Sequence, residues 1–228
     1  MKRYVINGLL LLCGLSFPAT CIRVQAQGMS PVIQEFNKKP RGAVQVTNSG
    51  NAAKIVSCRA QGFDADEHGT PRLHPIDAAL HVRIASERVV LQPNGSRQVS
   101  FDANPSVLPA WFMVTCAFVP VERGPGITVA LEISSVVIVH GGAFDINDVT
   151  LSAKHVGAKV EVEVKNNGTG LARVSSGEIH GRGKQADLGT FILFPHQKRL
   201  VETDWKGTAP PETARIQIGK KRLQAPVN

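Results

Sequence analysis

The segment Val44-Gln-Val-Thr-Asn-Ser-Gly50 has a pattern that recurs at Val162-Glu-Val-Lys-Asn-Asn-Gly168, and this repeat is the strongest indication of the fold. In each copy two valines alternate with polar residues, which is typical of a half-buried β-strand, and the following Asn and Gly favour a turn. A second pattern, Leu-x-Pro-x-x-x-Arg, follows each copy, at Leu91 to Arg97 and at Leu193 to Arg199. Two matches in the same order favour a tandem pair of similar β-sandwiches over chance agreement between degenerate β patterns.

The first copy is the longer one, with about sixteen extra residues between its two patterns. The stretch from Asp64 to Pro75 is interpreted as a polar loop that supplies this length. Elsewhere short β-prone runs alternate with Asn, Gly and Pro, which indicates an all-β chain. Because Gly141-Gly142 ends a long apolar run, we predict domains at residues 27–142 and 143–228.

Composition limits the class of protein. The chain has 228 residues, 43% of them hydrophobic, and a formal net charge of +8, so it is too apolar and too weakly charged to be disordered. No apolar run reaches the roughly 18 residues of a spanning helix, so we expect no membrane insertion of the mature chain. Its basic blocks are no longer than Lys220-Lys221-Arg222, which argues against nucleic-acid binding.

The N-terminus has the features of an export signal. Lys2-Arg3 precedes a short apolar run, and Val24-Gln25-Ala26 fits a cleavage site, so we predict a signal peptide over residues 1–26. An uncleaved anchor is disfavoured because the run is too short, and lipid attachment at Cys21 because the residues before it match poorly. Cleavage leaves 23 basic and 18 acidic residues, a net charge of +5.

Two cysteines, Cys58 and Cys116, remain after cleavage. An even pair in an exported protein predicts one disulfide, because compartments outside the cytoplasm are oxidising. One bridge is too few for a disulfide scaffold, so a hydrophobic core must hold each domain together.

The sequence shows no catalytic constellation. It lacks the local motifs of serine hydrolases, zinc peptidases and phosphate-binding loops, so we expect neither enzyme activity nor a cofactor. The best candidate for a metal site is an acidic and histidine-rich stretch: Asp64, Asp66, Glu67, His68, His74 and His81. Its histidines have no spacing that fixes a shared face, and no Glu completes a calcium loop. A solvated loop without metal is the preferred interpretation, and a metal-binding sandwich remains a further alternative.

The stretch Ile127-Thr-Val129-Ala-Leu131-Glu-Ile133 has the most functional content. Large aliphatic residues alternate there with small or polar ones, after a Gly124-Pro125-Gly126 turn. An ordinary half-buried strand would give the same pattern. The functional interpretation is an edge strand whose aliphatic row is covered by a partner, because an uncovered aliphatic edge promotes aggregation.

The order of these elements resembles that of PapD-like periplasmic pilus-assembly chaperones. The matching stretches begin at Val44, Val90, Pro109, Ile127, Lys165 and Leu188, and together they span nearly the whole mature chain. The resemblance implies two tandem immunoglobulin-like β-sandwiches in a non-enzymatic periplasmic protein. Such chaperones bind pilus (fimbrial) subunits that lack their own last strand, and they deliver these subunits to an outer-membrane usher.

The resemblance also implies roles for particular residues. The donor residues that fill the groove of the subunit would be Ile127, Val129, Leu131 and Ile133. Cys58 and Cys116 would lie on neighbouring strands of one sheet, where a disulfide is geometrically plausible. A self-capping dimer is the expected protection of a free donor strand.

The sequence departs from the family at the anchor of the subunit. The family usually has an Arg near the start of its first strand and a Lys late in the donor strand, which hold the carboxyl terminus of the subunit. Val32 and Val136 occupy the aligned positions here. The candidate substitutes, between which the sequence does not choose, are Lys38, Arg41, Arg59 and His140. A secreted two-domain adhesin or surface component without chaperone activity is the alternative function.

Overall fold

Residues 27–121 and 129–228 are described in this computed structural model, and almost all of their regular structure is β-strand. This confirms the all-β fold. The described part of the chain has one short 3₁₀ helix, Ile146–Asp148, and no helix in that part is long and apolar enough to cross a membrane. The signal peptide predicted for residues 1–26 lies outside the described residues.

The first half of the chain forms two sheets from ten strands. These are β1 (Gln27–Ser30), β2 (Ile33–Phe36), β3 (Arg41–Asn48), β4 (Lys54–Ala65), β5 (Pro71–His74), β6 (Leu80–Ile84), β7 (Arg88–Leu91), β8 (Ser96–Pro105), β9 (Ala110–Pro120) and β10 (Leu131–Val139). One sheet has the order β1-β3-β8-β6. The other has the order β2-β10-β9-β4-β5, with β7 also paired to β4.

Inward-facing side chains of both sheets form one hydrophobic core, as expected for a sandwich. Val44 and Val46 of β3 are completely buried and meet Val99 of β8 and Val114 of β9 within this core. The intervening Gln45 is exposed. The valine alternation noted in the sequence is therefore the inward face of β3.

The second half repeats this architecture with eight strands. These are β11 (Val149–Val156), β12 (Lys159–Asn166), β13 (Ala172–Gly181), β14 (Lys184–Asp187), β15 (Phe191–Leu193), β16 (Lys198–Asp204), β17 (Pro211–Ile218) and β18 (Lys221–Pro226). One sheet is β11-β12-β16, and the other is β14-β13-β17-β18 with β15 paired to β13. A second, separate core contains Val160, Val162 and Val164 of β12. The boundary at residues 142 and 143 remains a prediction.

Asn48 and Asn166, the asparagines of the repeat, are both completely buried and make equivalent hydrogen bonds. Each Nδ2 lies within hydrogen-bond distance of three backbone carbonyl oxygens. Those around Asn48 belong to Ala52 (2.9 Å), Gln92 (3.1 Å) and Leu91 (3.5 Å), and those around Asn166 belong to Gly170 (2.8 Å), Phe194 (3.2 Å) and Leu193 (3.4 Å). In each half the side chain thus joins the turn after one strand to the turn that follows the buried leucine, Leu91 or Leu193. Buried carbonyls need such partners, which explains why the two patterns recur together.

The interpretation of Asp64 to Pro75 as a polar loop is wrong. β4 continues to Ala65 and pairs with β5 to form a hairpin, here called the β4–β5 hairpin. Asp66 shapes its turn, because one carboxylate oxygen accepts hydrogen bonds from the backbone amides of His68 (3.0 Å) and Thr70 (2.8 Å). Such an Asx turn allows a polar sequence to close a hairpin.

Candidate functional site

The last strand of the first domain, β10, is paired unequally on its two sides. It pairs with β9 along its whole length, but it pairs with β2 only over Val136–Val139. The first described strand causes this, because β1 belongs to the opposite sheet and only β2, after Pro31, joins β10. Among the described residues, the part from Leu131 to Ser135 therefore has no strand paired to its outer side, although its last residue, Ser135, is completely buried and its hydroxyl donates to the carbonyl oxygen of Pro31 at 2.7 Å. We call this part the open edge.

Aliphatic side chains line one face of the open edge and continue the line of the core. Leu131 lies opposite Phe118 and Ile133 lies opposite Cys116, and both of these partners are buried. Ile133 packs against the core, whereas Leu131 is 43% exposed and Val129, just before the strand, is 74% exposed. The row thus becomes more exposed toward its N-terminal end. Ile127, the remaining predicted donor residue, lies outside the described residues.

The opposite face of the open edge is polar. Nη2 of Arg59 donates to both carboxylate oxygens of Glu132, at 3.0 and 3.1 Å. The hydroxyl groups of Thr115 and Ser134 are hydrogen bonded at 2.8 Å. A strand added at this edge would therefore meet apolar side chains on one face only.

The predicted disulfide joins Cys58 of β4 to Cys116 of β9. The two cysteines are direct partners in the ladder, with Cα atoms 4.1 Å apart. The bridge lies within one sheet, as the resemblance implied, and Cys116 lies opposite Ile133 of β10. It therefore fixes the sheet directly beside the open edge.

A groove of about 590 Å³ lies between the two domains, next to β10. Val136 and Met113 line it from the first domain, and Gly69 and Pro71 line it from the β4–β5 hairpin. The residues that line it from the second domain are Arg173, Val174, Ser175, Thr190, Phe191, Ile192, Phe194 and Arg199. None of the residues lining this groove is acidic.

The two positions aligned with the usual anchor lie next to each other in the structure. The backbone amide of Val136 donates to the carbonyl oxygen of Val32, at 2.8 Å. Neither residue carries a charge. The usual charged anchor is therefore absent from these two positions, one of which, Val136, lines the groove.

Three of the four candidate substitutes are already paired. Arg41 pairs with Asp102 (2.8 Å) in the other sheet, and Arg59 pairs with Glu132. His140 contacts Glu35, with Nε2 and a carboxylate oxygen 3.1 Å apart. Lys38 is exposed, and it is not among the residues lining the groove.

Sequence reasoning missed the arginines of the second domain. Arg173 forms an ion pair with Glu35, which ties the two domains together. Arg199 lies with its guanidinium carbon 5.5 Å from the ring centroid of Phe191, and its buried Nε has no hydrogen-bond partner among the described residues. Desolvation lowers the pKa of Arg199, and the nearby Asp66 partly opposes this shift. The repeat pattern marked Arg199, but only the fold shows that it borders a groove.

The β4–β5 hairpin docks on the second domain. The amide of Leu200 donates to the carbonyl oxygen of Glu67 (2.6 Å), and Lys198 pairs with the Glu67 carboxylate (2.9 Å). This hydrogen-bonded pair lowers the pKa of Glu67 and raises the pKa of Lys198. The ring of Phe194 packs edge-to-face with Phe63 and at a tilt of 40° with Trp111, with ring centroids 5.4 and 5.1 Å apart.

Five of the six metal candidates lie along this hairpin, and the sixth, His81, lies on β6. Asp66 holds the turn, Glu67 pairs with Lys198, and Nδ1 of His74 lies 2.7 Å from the carbonyl oxygen of Pro75. In residues 27–121 and 129–228 no group of three or more acidic, His or Cys side chains could hold a metal ion.

Solved structures of pilus chaperones share this fold. The YadV chaperone is 12% identical, with a TM-score of 0.58 over 88% of this chain and 98% of that chain. The E. coli chaperone DraB is 11% identical, with a TM-score of 0.54 over 88% and 98%. A chain of the Salmonella enterica SafA pilin–SafB chaperone complex is 15% identical, with a TM-score of 0.55 over 90% and 97%.

No protein-family model matches this chain, and no curated protein matches it either. At 11 to 15% identity the solved structures show the fold alone: two immunoglobulin-like β-sandwiches in the arrangement of a pilus chaperone. The resemblance found in the sequence is confirmed at that level.

Proposed function

We propose that this protein is a periplasmic chaperone that binds pilus subunits by lending them its open edge, and that passes them to an outer-membrane usher. The observation that carries the proposal is the unpaired outer side of Leu131 to Ser135, next to an aliphatic row that is increasingly exposed. A subunit that lacks a strand would pair its backbone with this edge and cover the row. The fold shared with chaperones, one of them in complex with a pilin, supports this function.

The energy of such capture comes from side-chain burial. Full burial of an exposed aliphatic side chain contributes about 1.5–3 kcal/mol, so covering Val129 and Leu131, which are 74% and 43% exposed, would contribute a corresponding part of that for each. Ile127 and Ile133 are the other proposed donor residues. Added backbone hydrogen bonds fix the register of the incoming strand. No cofactor or nucleotide is needed for binding of this kind, and without a subunit the open edges of two copies would cap each other as a dimer.

The test is affinity capture from the native periplasm with tagged protein, followed by mass spectrometry. A Val129→Glu, Leu131→Glu double variant places two charges in the aliphatic row. A Val90→Glu, Val156→Glu double variant is the matched control, because these valines are 51% and 47% exposed but lie on β7 and β11. Circular dichroism and thermal unfolding establish that both variants are folded.

We expect the parent and the control to recover a small β-rich subunit that lacks the last strand of a sandwich. The Val129→Glu, Leu131→Glu variant should recover it at least tenfold less, because a buried carboxylate without a partner is strongly unfavourable. Equal recovery by both folded variants would overturn strand donation. Recovery of no such subunit by the parent would instead favour a secreted adhesin or surface component.

A further inference from the structure

We infer that a small pocket in the first domain binds a lysine side chain of a partner polypeptide. The pocket has a volume of about 200 Å³, lies beside the β4–β5 hairpin and shares only Phe63 with the groove between the domains. Pockets for drug-sized molecules are larger, roughly 300–1,000 Å³, so we expect a single side chain to fill it. No residue of β10 lines the pocket, and the inference does not rest on strand donation.

The walls of the pocket are mostly apolar. They include Phe63, Leu80, Val107 and Trp111. The indole N–H of Trp111 donates to the carbonyl oxygen of Phe63 at 2.9 Å, which fixes the orientation of the ring. Apolar walls suit the methylene stem of a lysine, and an indole ring attracts an ammonium group that lies over its face.

The imidazole of His74 is held in one orientation at this pocket. His74 lies opposite Gly62 in the ladder, and its ring packs so closely that a Cβ at Gly62 would overlap it. Nδ1 of His74 lies 2.7 Å from the carbonyl oxygen of Pro75. A carbonyl oxygen only accepts hydrogen bonds, so Nδ1 carries the hydrogen and Nε2 of the neutral ring is an acceptor.

A second acceptor lies next to this nitrogen. Nε2 of His74 is 3.7 Å from Oδ2 of Asp64, so a lone pair and a carboxylate share one side of the pocket. Asp77 adds another carboxylate to the lining, with one oxygen accepting from the amide of Ala79 at 2.8 Å. An ammonium group has three N–H donors and a positive charge, so it satisfies Nε2 and the Asp64 carboxylate together.

The charge balance of the pocket favours a cation. Among the described residues, no lysine or arginine lines it. Arg72 lies opposite Asp64 in the ladder, but its guanidinium is directed to Asp66, at 3.7 Å. The pocket is therefore acidic in a chain whose formal net charge is +8, and it is the opposite of the arginine-lined groove between the domains.

The surroundings of the pocket favour a polypeptide as the source of the ammonium group. In the described part of the chain β5 pairs only with β4, so its outer edge is open to backbone pairing with an extended segment. Val107 and Leu108 are exposed at the rim, where apolar neighbours of a bound lysine would cover them.

The experiment measures binding to the purified protein by ¹⁵N–¹H NMR titration at about pH 8, so that imidazole is neutral. One probe is an acetylated and amidated tripeptide of valine, lysine and valine. The second has norleucine in place of lysine, which removes only the ammonium group, and the third is n-butylamine, which has no peptide backbone. The proteins are the parent, Asp64→Asn, His74→Phe and Glu87→Gln.

Glu87→Gln is the matched control, because Glu87 is exposed and does not line the pocket. The substitution removes the same charge as Asp64→Asn from another part of the first domain. His74→Phe keeps a ring beside Gly62 but removes the acceptor nitrogen. The spectra also establish that each variant is folded, and the shifted amides report where a probe binds.

We expect the lysine peptide to bind the parent and Glu87→Gln about fivefold more tightly than the norleucine peptide, as a partly exposed ion pair implies. Asp64→Asn should bind both peptides equally, and His74→Phe should keep part of the preference. n-Butylamine should shift the same amides but bind more weakly. Equal binding of both peptides by the parent, an unchanged preference in Asp64→Asn, or no binding at the pocket would overturn the inference. Binding of n-butylamine as tight as that of the lysine peptide would overturn a polypeptide as the source.

Discussion

The two halves of this protein have the same hydrogen bonds in their interiors but differ in the side chains that they present to each other. Asn48 and Asn166 make the same hydrogen bonds inside their domains. One residue after the buried leucine, however, the first half has the exposed Gln92, whereas the second half has Phe194. The ring of Phe194 packs edge-to-face with Phe63 and at a tilt with Trp111, both of the other domain.

This difference shows how a repeated sandwich becomes an asymmetric pair. The positions that the halves share, Asn48 and Asn166, supply hydrogen bonds to buried backbone carbonyls, which need such partners in either domain. The differing positions decide where the other domain docks. Most of the extra length of the first half lies between β5 and β7 and contains β6, which has no counterpart in the second half. The β4–β5 hairpin has a shorter counterpart in β13 and β14, and it is the one to which the second half presents Phe194 and Lys198.

The largest expected effect tests the equivalence of the two asparagines. Asn48→Ala and Asn166→Ala should each destabilise their own domain by about 3 kcal/mol, because several buried backbone groups lose their partner. Urea unfolding, followed by one probe in each domain, measures this. Asn104→Ala, an exposed position on β8, should change stability by less than about 0.5 kcal/mol. A large loss of stability for only one of the two variants would show that the two asparagines are not equivalent.

A smaller effect is expected where the halves differ. Phe194→Gln gives the second half the residue of the first and should weaken domain docking by about 1–2 kcal/mol through lost aromatic contacts. Small-angle X-ray scattering should then show a larger radius of gyration. Gln92→Ala, which changes the equivalent exposed position, should leave it unchanged. A Phe194→Gln protein as compact as the parent would show that the stacking does not hold the domains together.

The smallest effect concerns the ion pair of the hairpin. The pKa of Glu67 is lowered by Lys198, so the pair favours docking above the ordinary pKa of 4.5 and is lost as the pH falls below that value. The pKa of Lys198 is raised, so its contribution is complete below 10.5 and is lost as the pH rises through the raised value. The amide shift of Leu200, which is bonded to Glu67, should therefore titrate in acid.

Glu67→Gln is the control for this titration, because it removes the charge and leaves Asp66 in place. The Leu200 amide shift should then lose its acid transition. Persistence of the same transition in Glu67→Gln would assign it to another carboxylate and remove the pair from the docking account.

The elements that could be predicted from the sequence are those that depend on local pattern. The valines at positions 44, 46, 162 and 164 alternate because one face of each strand is buried. The disulfide was predicted because an even number of cysteines remains after the predicted export signal. The β4–β5 hairpin was missed because the sequence from Asp64 onward is polar, and all four residues of β5 are exposed. β5 is held by its pairing with β4 rather than by an apolar face of its own, and the buried Phe63 of β4 packs against Phe194 of the second domain.

The candidate site could be predicted only on its first-domain side. The aliphatic row was visible as a period-two pattern, and its described part lies at the open edge. The groove that Arg199 lines could not be foreseen, because it is formed by residues far apart in the sequence. The period-two patterns of single strands do not show how the two domains pack against each other.

Hydrogen–deuterium exchange at β10, with and without the captured subunit, tests strand donation most directly. We expect the amides of Leu131 to Ser135 that are not bonded to β9 to exchange rapidly in the free protein and to become protected in the complex. Amides of Val136–Val139, already between β9 and β2, should be protected in both states. Unchanged exchange at the open edge, with protection appearing at another strand instead, would contradict strand donation.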